Sequence, residues 1–394
     1  MRVVLISNYY NHHQSAFSTN MNRITCGEFT FIEMERMTAE HKALGYGLEG
    51  IPDYVKYIHR SDETYTECCQ LINSADVVIF ENTFRFIVLD RLKEGKLTFL
   101  YSERIYKRGY EMWKWPIRFI RNQKANRGLN SLYLLCASAF TAADYKLTFN
   151  FINKTYKWGY FPKVKQYDID KLLRCKLSEQ SSSSEKSCAS ILWVGRLIKL
   201  KHPDASIRLA KSLKEKGYSF RLDIIGKGEM ENKLLDMINA NNLSDCVTLL
   251  GAMTPVRVRE HMEQADIYLF TSDFNEGWGA VLNESMNSGC AVVASHAIGS
   301  VPFLIKNGEN GMVYQNGNEK DLLRKVEILL KDSVLRKKMG AAAYRTMLET
   351  WNADIAASRL LELSKDLLKS GNSKRYCEGP CSKAEVLKNG WFKI

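Results

Sequence analysis

The 394-residue sequence predicts an α/β protein of two doubly wound domains in series. Three observations predict it. Short apolar runs recur between longer stretches suited to helices, the signature of parallel sheets covered on both faces. The length suits two domains at roughly 100–200 residues each. A serine-rich stretch, Ser178 to Ser190, divides the series and carries too little apolar surface to order itself.

In the first half, Val3 to Ile6 reads as a buried strand that runs into a polar loop, Ser7 to Ser18. Val77 to Phe80, Leu97 to Tyr101 and Leu132 to Ala137 are further strands of a domain over 1–165, followed by a linker over 166–190. The second series is clearer. Strands at Ile191–Val194, Phe220–Ile225, Val247–Leu250, Ile267–Thr271 and Ala291–Ser295 alternate with helices at Pro203–Lys216, Met230–Asn239, Val256–Gln264 and Val281–Asn287. Gly289 follows the last of these helices, where a left-handed residue closes the turn. Helices at Glu319–Lys331 and Asp354–Lys369 finish the fold, giving a domain over 191–350, a final helix over 351–370 and a loose tail over 371–394. Two such domains put a cleft between the carboxyl ends of two sheets, a favoured place for an extended ligand.

A composition of 45% hydrophobic and 25% charged residues excludes disorder for most of the chain. No apolar run approaches the roughly 18–20 residues of a membrane span. The opening MRVVLISNYY turns polar too soon for a secretory signal, so a cytosolic protein, soluble or peripheral, is expected. The ten cysteines include no CxxC pair, and Cys377 with Cys381 has no histidine pair after it; reduced thiols are expected.

The strongest motif runs from Phe274 to Glu284 (FNEGWGAVLNE), a loop with two glycines between a strand and a helix. Unpaired N–H groups and the helix dipole at such a start suit a diphosphate, and Gly277 and Gly279 let Trp278 and Ala280 approach it through the main chain. Eight helical residues would set Glu276 and Glu284 about 12 Å apart, the span from ribose to sugar in a nucleoside diphosphate sugar. Solvated helix charges are the bland alternative. A second segment, Val194 to His202, offers Arg196 and Lys201 to neutralise a diphosphate, by a bidentate fork and a point charge, or as ordinary surface cations. A third, Gly226-Lys227-Gly228 after a strand, is either a plain tight turn or a nucleotide-facing loop.

Arg196 with Lys201, then Gly226 and Gly228, then Glu276 and Glu284 with seven residues between them, occur in one order that resembles the retaining glycosyltransferases of the family-4 type. The resemblance is specific over about Ile191 to Tyr314. It implies the GT-B fold: two Rossmann-like domains facing a central cleft, with the last helix crossing back to the first domain. It also implies that Arg196 and Lys201 bind the donor diphosphate, Glu284 the ribose and Glu276 the donor sugar, with no metal and no other cofactor. The first domain departs from the common Gly-Gly pattern. Its Asn11-His12-His13-Gln14 resembles a subset found in bacterial surface-polysaccharide clusters, where His12 or His13 would face acceptor or phosphate; a surface loop histidine is the alternative. Glu103 and Arg104, after another strand, are further acceptor-side candidates. The implied activity is hexose transfer from a UDP-sugar, or a GDP-sugar, to a glycan or polyprenyl-linked glycan in capsule synthesis, at the inner face of the cytoplasmic membrane. An epimerase or phosphorylase of the same fold is the rival.

Asp168-Ile169-Asp170 spells a metal motif of the other large glycosyltransferase fold, but a helix N-cap is the expected role. The stretch from Arg104 to Arg127 holds eight basic residues and one acid, with Tyr106, Tyr110, Trp113, Trp115 and Phe119 interleaved. That pattern suits an anionic membrane surface, single-stranded nucleic acid, or a solvated helix with a half-buried aromatic face. Membrane is preferred, and no nucleic-acid partner is expected.

Overall fold

Runs of β-branched and aromatic residues that are apolar on both faces can only sit in sheets buried on both sides, and this chain builds two of them. The computed structural model describes residues 1–38, 47, 50–107, 111–178 and 188–393. They fall into two units, Met1–Lys163 with Trp351–Lys388, and Val164–Thr350 with Asn389–Ile394.

In the first unit, β1 (Val3–Ser7), β2 (Phe29–Glu33), β3 (Val55–Tyr57), β4 (Val77–Glu81), β5 (Thr98–Ser102), β6 (Leu132–Cys136) and β7 (Thr155–Lys157) form a parallel sheet in the order β3-β2-β1-β4-β5-β6-β7. The order reverses between β1 and β4, so their carboxyl ends, Ser7 and Glu81, flank the crevice where such sheets bind ligands. The core contains Val78, Phe80, Leu100 and Leu134, and also Arg91. Arg91 spends its donors on the carbonyls of Ile72, Ala75, Asp76 and Leu97 and on Thr98 Oγ1, at 2.6–3.1 Å, so its charge is solvated by peptide dipoles; burial still lowers its pKa to about 10.

In the second unit, β8 (Ala189–Val194), β9 (Phe220–Ile225), β10 (Val247–Gly251), β11 (Ile267–Phe270), β12 (Ala291–Ser295) and β13 (Met312–Tyr314) form a parallel sheet in the order β10-β9-β8-β11-β12-β13, whose order reverses between β8 and β11. Trp193 is buried in its core, and its indole N–H donates to Thr271 Oγ1 at 2.8 Å. Gly289 has φ +67° behind the helix Val281–Asn287, as the sequence predicts. Two doubly wound parallel sheets are the predicted fold class.

The structure corrects four local expectations. The polar loop from Ser7 to Ser18 turns into a helix, His12–Ile24, because Asn11 caps it and accepts from the His13 N–H at 2.9 Å. The linker over 166–190 is helical over Ile169–Ser178, with Lys176 buried and donating to the carbonyls of Ala265 and Ser288 at 2.6 and 2.9 Å; residues 179–187 lie outside the described residues. The helix Ser333–Glu349 and strands β2, β3, β7 and β13 were not anticipated. The tail is not loose: Lys157 N–H donates to Ser382 O at 2.7 Å and Ala384 N–H to Thr155 O at 3.1 Å, so this segment pairs with β7 and buries Cys381 and Ala384. Farther on, the Trp391 indole donates to His296 O at 2.9 Å within the second unit.

Candidate functional site

At the reversal point of the second sheet, the loops that follow β8 and β11 are tied together. Thr271 Oγ1 lies 2.7 Å from Lys201 O, and Asp273 N–H donates to Leu200 O at 3.0 Å. The His202 ring approaches Asp273 Oδ2 at 3.2 Å. Burial alone would raise the Asp273 pKa, but bonds from His202 and from the Asn275 backbone and amide outweigh it and hold the carboxyl low. His202 itself is left-handed, at φ 49°, which turns the chain from the short turn Lys199–Lys201 into the helix Pro203–Glu215. The ties aim Lys201 across the gap, where its ammonium pairs with Glu276; Ser272 Oγ donates to the same carboxylate at 3.1 Å. Their side chains are only 14% and 12% exposed.

Glu284 lies in the first turn of the helix Val281–Asn287 and Glu276 sits in the loop before it, so the helical 12 Å spacing does not apply. Burial raises the Glu284 pKa, and Arg259 opposes that from 3.9 Å. Arg196 is exposed just beyond β8. Among the described residues, no hydrogen bond or ion pair joins Arg196 or Glu284 to Lys201 or Glu276.

The glycines serve the fold more than a ligand. A Cβ on Gly226, at φ +149°, would lie 1.8 Å from Gly195 O, and one on Gly228 would lie 2.5 Å from Leu197 O. Both are bare because the β8 loop crosses them, with the Leu197 N–H donating to Lys227 O at 2.9 Å. Gly279, at φ +79°, faces Phe270, whose ring would be 2.2 Å from a Cβ. Trp278, expected at the ligand, is fully buried and donates to Asn283 Oδ1 at 2.9 Å, so only its backbone can face outward. Gly277 and Ala280 complete the loop.

In the first unit, a small cavity of about 40 Å³ lies at the carboxyl ends of β1, β4 and β5, lined by Ser7, His13, Gln14, Glu81, Tyr101 and Tyr160 among others. Ser7 Oγ donates to Glu81 and accepts from Gln14 Nε2 at 2.7 Å. Burial raises the Glu81 pKa, Ser7 opposes it, and the nearby Glu103 and Glu35 add to it. Burial lowers both histidines, and the neighbouring His12, its ring 3.9 Å away, helps bring His13 down to about 3; both are neutral at pH 7. Glu103 accepts from Tyr160 at 3.1 Å and pairs with Lys107 at 2.6 Å. Arg104 is a correction. It turns inward, almost fully buried, and pairs with Asp144 at 3.3 Å, while Asp144 also accepts from the N–H groups of Ile105 and Tyr106. It shapes the loop and does not face an acceptor.

Sequence reasoning missed Asp273, His202 and Ser272, which fix Lys201 and Glu276, and Glu81 with Ser7. His202 directly after Lys201, and Asp273 three before Glu276, were the available signals. Asp168 accepts from the Lys171 N–H at 3.0 Å, a helix cap, and the described residues hold no group of three or more His, Cys, Asp or Glu suited to a metal.

Residues 177–346 match the family model described as Glycosyl transferases group 1. The chain is 31% identical over 190 residues to the amylovoran biosynthesis glycosyltransferase AmsK of Erwinia amylovora, covering 45% of this chain and 44% of that one. It is 33% identical over 147 residues to the N-acetylgalactosamine-N,N'-diacetylbacillosaminyl-diphospho-undecaprenol 4-alpha-N-acetylgalactosaminyltransferase of Campylobacter jejuni, covering 37% and 39%. The chain therefore spans less than half the length of either relative. Among solved structures, Anabaena HepE in complex with UDP and glucose superposes with a TM-score of 0.64 at 13% identity, over 93% of this chain and 100% of that one. The fold is GT-B, and residues 177–346, less than half of the chain, are similar to the group 1 glycosyl transferases.

Proposed function

We propose that this chain is a retaining glycosyltransferase that moves a hexose from a nucleoside diphosphate sugar, UDP-linked in preference to GDP-linked, to a glycan or polyprenyl-linked glycan of a surface polysaccharide. The observation that carries the reading is the Lys201–Glu276 pair at the reversal point of the second sheet. Its ammonium can pass from Glu276 to a departing diphosphate, while the freed carboxylate takes sugar hydroxyls. Arg196 adds a second cation and Glu284 holds the ribose. The bond from the anomeric carbon to the diphosphate oxygen breaks, and the acceptor oxygen bonds that carbon on the same face. The acceptor proton goes to the departing diphosphate. Cations stabilise charge on the leaving oxygen, with no metal assigned a role. UDP in the HepE complex and the undecaprenol named for the Campylobacter relative support the donor and acceptor classes.

The test is Glu276→Gln. Turnover with a UDP-sugar should fall by about 10²–10³, as for a lost transition-state contact, while UDP binding by calorimetry persists. NMR of the product should show the donor's anomeric configuration. Wild-type turnover in the variant would remove Glu276 from the reaction, and an inverted product would remove retention. An epimerised UDP-sugar with no transfer would favour the epimerase.

A further inference from the structure

The helix Trp115–Asn126 is apolar on two faces: Trp115 and Phe119 are half-buried, the Trp115 indole donating to Leu147 O at 2.8 Å and Phe119 meeting Phe149 edge-on, while a second stripe faces out. It also turns polar groups toward the protein: Asn122 Nδ2 donates to Thr148 Oγ1 at 3.0 Å and Gln123 Nε2 to Thr148 O at 2.7 Å, while Asn126 accepts from Arg85 at 2.7 Å. Toward solvent it turns Ile117 and Ile120, at 69% and 64% exposure, continuing a stripe begun by Met112 and Trp113 at 69% and 75%. None of its residues is buried. The loop it holds adds Phe149 and Ile152. Six of the eighteen strongly exposed large apolar residues among the described residues thus fall within 112–152, a concentration that soluble surfaces avoid.

Cations border the stripe, though not those the sequence alone suggests. Arg104 is buried on Asp144, Lys107 pairs with Glu103, and Lys114 and Arg118 both pair with Glu111. Arg108 and Tyr110 lie outside the described residues. Arg121, Lys124 and Arg127 are exposed, and among the described residues none makes an ion pair. An open groove beside them, with Tyr106, Trp113, Arg118 and Arg121 among its lining residues, sets aromatic walls against guanidinium groups.

We infer that this face docks on an anionic phospholipid bilayer, with Trp113, Ile117 and Ile120 in the headgroup–acyl boundary and Arg121, Lys124 and Arg127 over lipid phosphates. An outward apolar stripe flanked by unneutralised cations has the form of an interfacial helix. The charge complement selects an anionic membrane over a second copy of this chain, which would bring the same cations face to face.

The experiment is co-sedimentation of the full chain with vesicles of phosphatidylglycerol and phosphatidylcholine, or of phosphatidylcholine alone. Binding should require the anionic lipid. Arg121→Gln/Lys124→Gln/Arg127→Gln should lower partitioning by about 100-fold, roughly fivefold per cation. Trp113→Ser/Ile117→Ser/Ile120→Ser should retain salt-sensitive binding and lose the part that survives at high salt, where screening acts within a few ångströms. A control removes the same charge from exposed sites elsewhere, Lys320→Gln/Lys338→Gln/Lys374→Gln. Equal loss in the control would reduce the effect to net charge and overturn the assignment. So would no binding to anionic vesicles, or a dimer in gel filtration that the serine variant alone dissolves.

Discussion

Breaking the Lys201–Glu276 pair tests the site without any assay of activity. Glu276→Gln keeps the shape and the Ser272 contact but leaves an ammonium that is only 14% exposed without a carboxylate. Fully exposed pairs contribute about 0–1 kcal/mol, and breaking fully buried ones costs about 3–5. Partial burial puts this pair at about 1.5–3 kcal/mol. The segment Val164–Thr350 makes up most of the second unit, a size at which each kcal/mol moves the melting point by about 2–4 °C. Glu276→Gln should therefore melt about 3–12 °C below wild type. Lys201→Met removes the other partner and should cost a similar amount, while the double variant should recover about 1.5 kcal/mol or more of the summed losses. The measurement is urea unfolding of the four proteins, followed through the fluorescence of Trp193 and Trp278, both buried in this unit. Losses that add to within about 0.5 kcal/mol would mean the two side chains do not interact, and the geometric basis of the donor site would be gone.

Glu81→Gln should stabilise the first unit at pH 8 and do little near pH 4. The folded pKa is raised, so the stability contributed by this group is present below its unfolded value of about 4.5 and is lost as pH rises through the raised one; urea midpoints showing the gain only at low pH would reverse the assignment. Gly226→Ala should destabilise the second unit by about 2–4 kcal/mol, against about 1 for Gly308→Ala, which has a similarly disfavoured φ but open space around it; equal costs by thermal melting would deny that the β8 loop needs the missing Cβ.

Much of the second unit was legible because its strands are uninterrupted apolar runs with helices of clean periodicity between them. Phe220–Ile225, Val281–Asn287 and Ala291–Ser295 fall where the pattern puts them. The loops carrying Lys201 and Glu276 followed, since strand ends in such sheets are where ligands bind. What failed depended on contacts distant in sequence. The pairing of Ser382 with Lys157 across more than 200 residues has no local signal, and neither does the burial of Arg104 against Asp144. Basic residues counted along the chain looked equivalent, yet partners supplied by the fold sort them into neutralised and available. His12 and His13 read as loop residues because the Asn11 cap was overlooked.

The first unit is not continuous in the chain. It closes only with Trp351–Lys388, whose helix Ala353–Ser370 packs on His12–Ile24, with Trp351 stacked on Phe161. A ribosome releases these parts about 225 residues after Lys163, which at 5–20 residues per second is a wait of roughly 10–45 s. During that interval Val164–Thr350, all of the second unit except Asn389–Ile394, can fold, while the earlier-made sheet keeps one apolar helix face uncovered and β7 without the segment that pairs with it. The sheet made first is therefore the one that waits longest for its cover. A chain that stops after Thr350 loses structure at its beginning, although it was cut near its end.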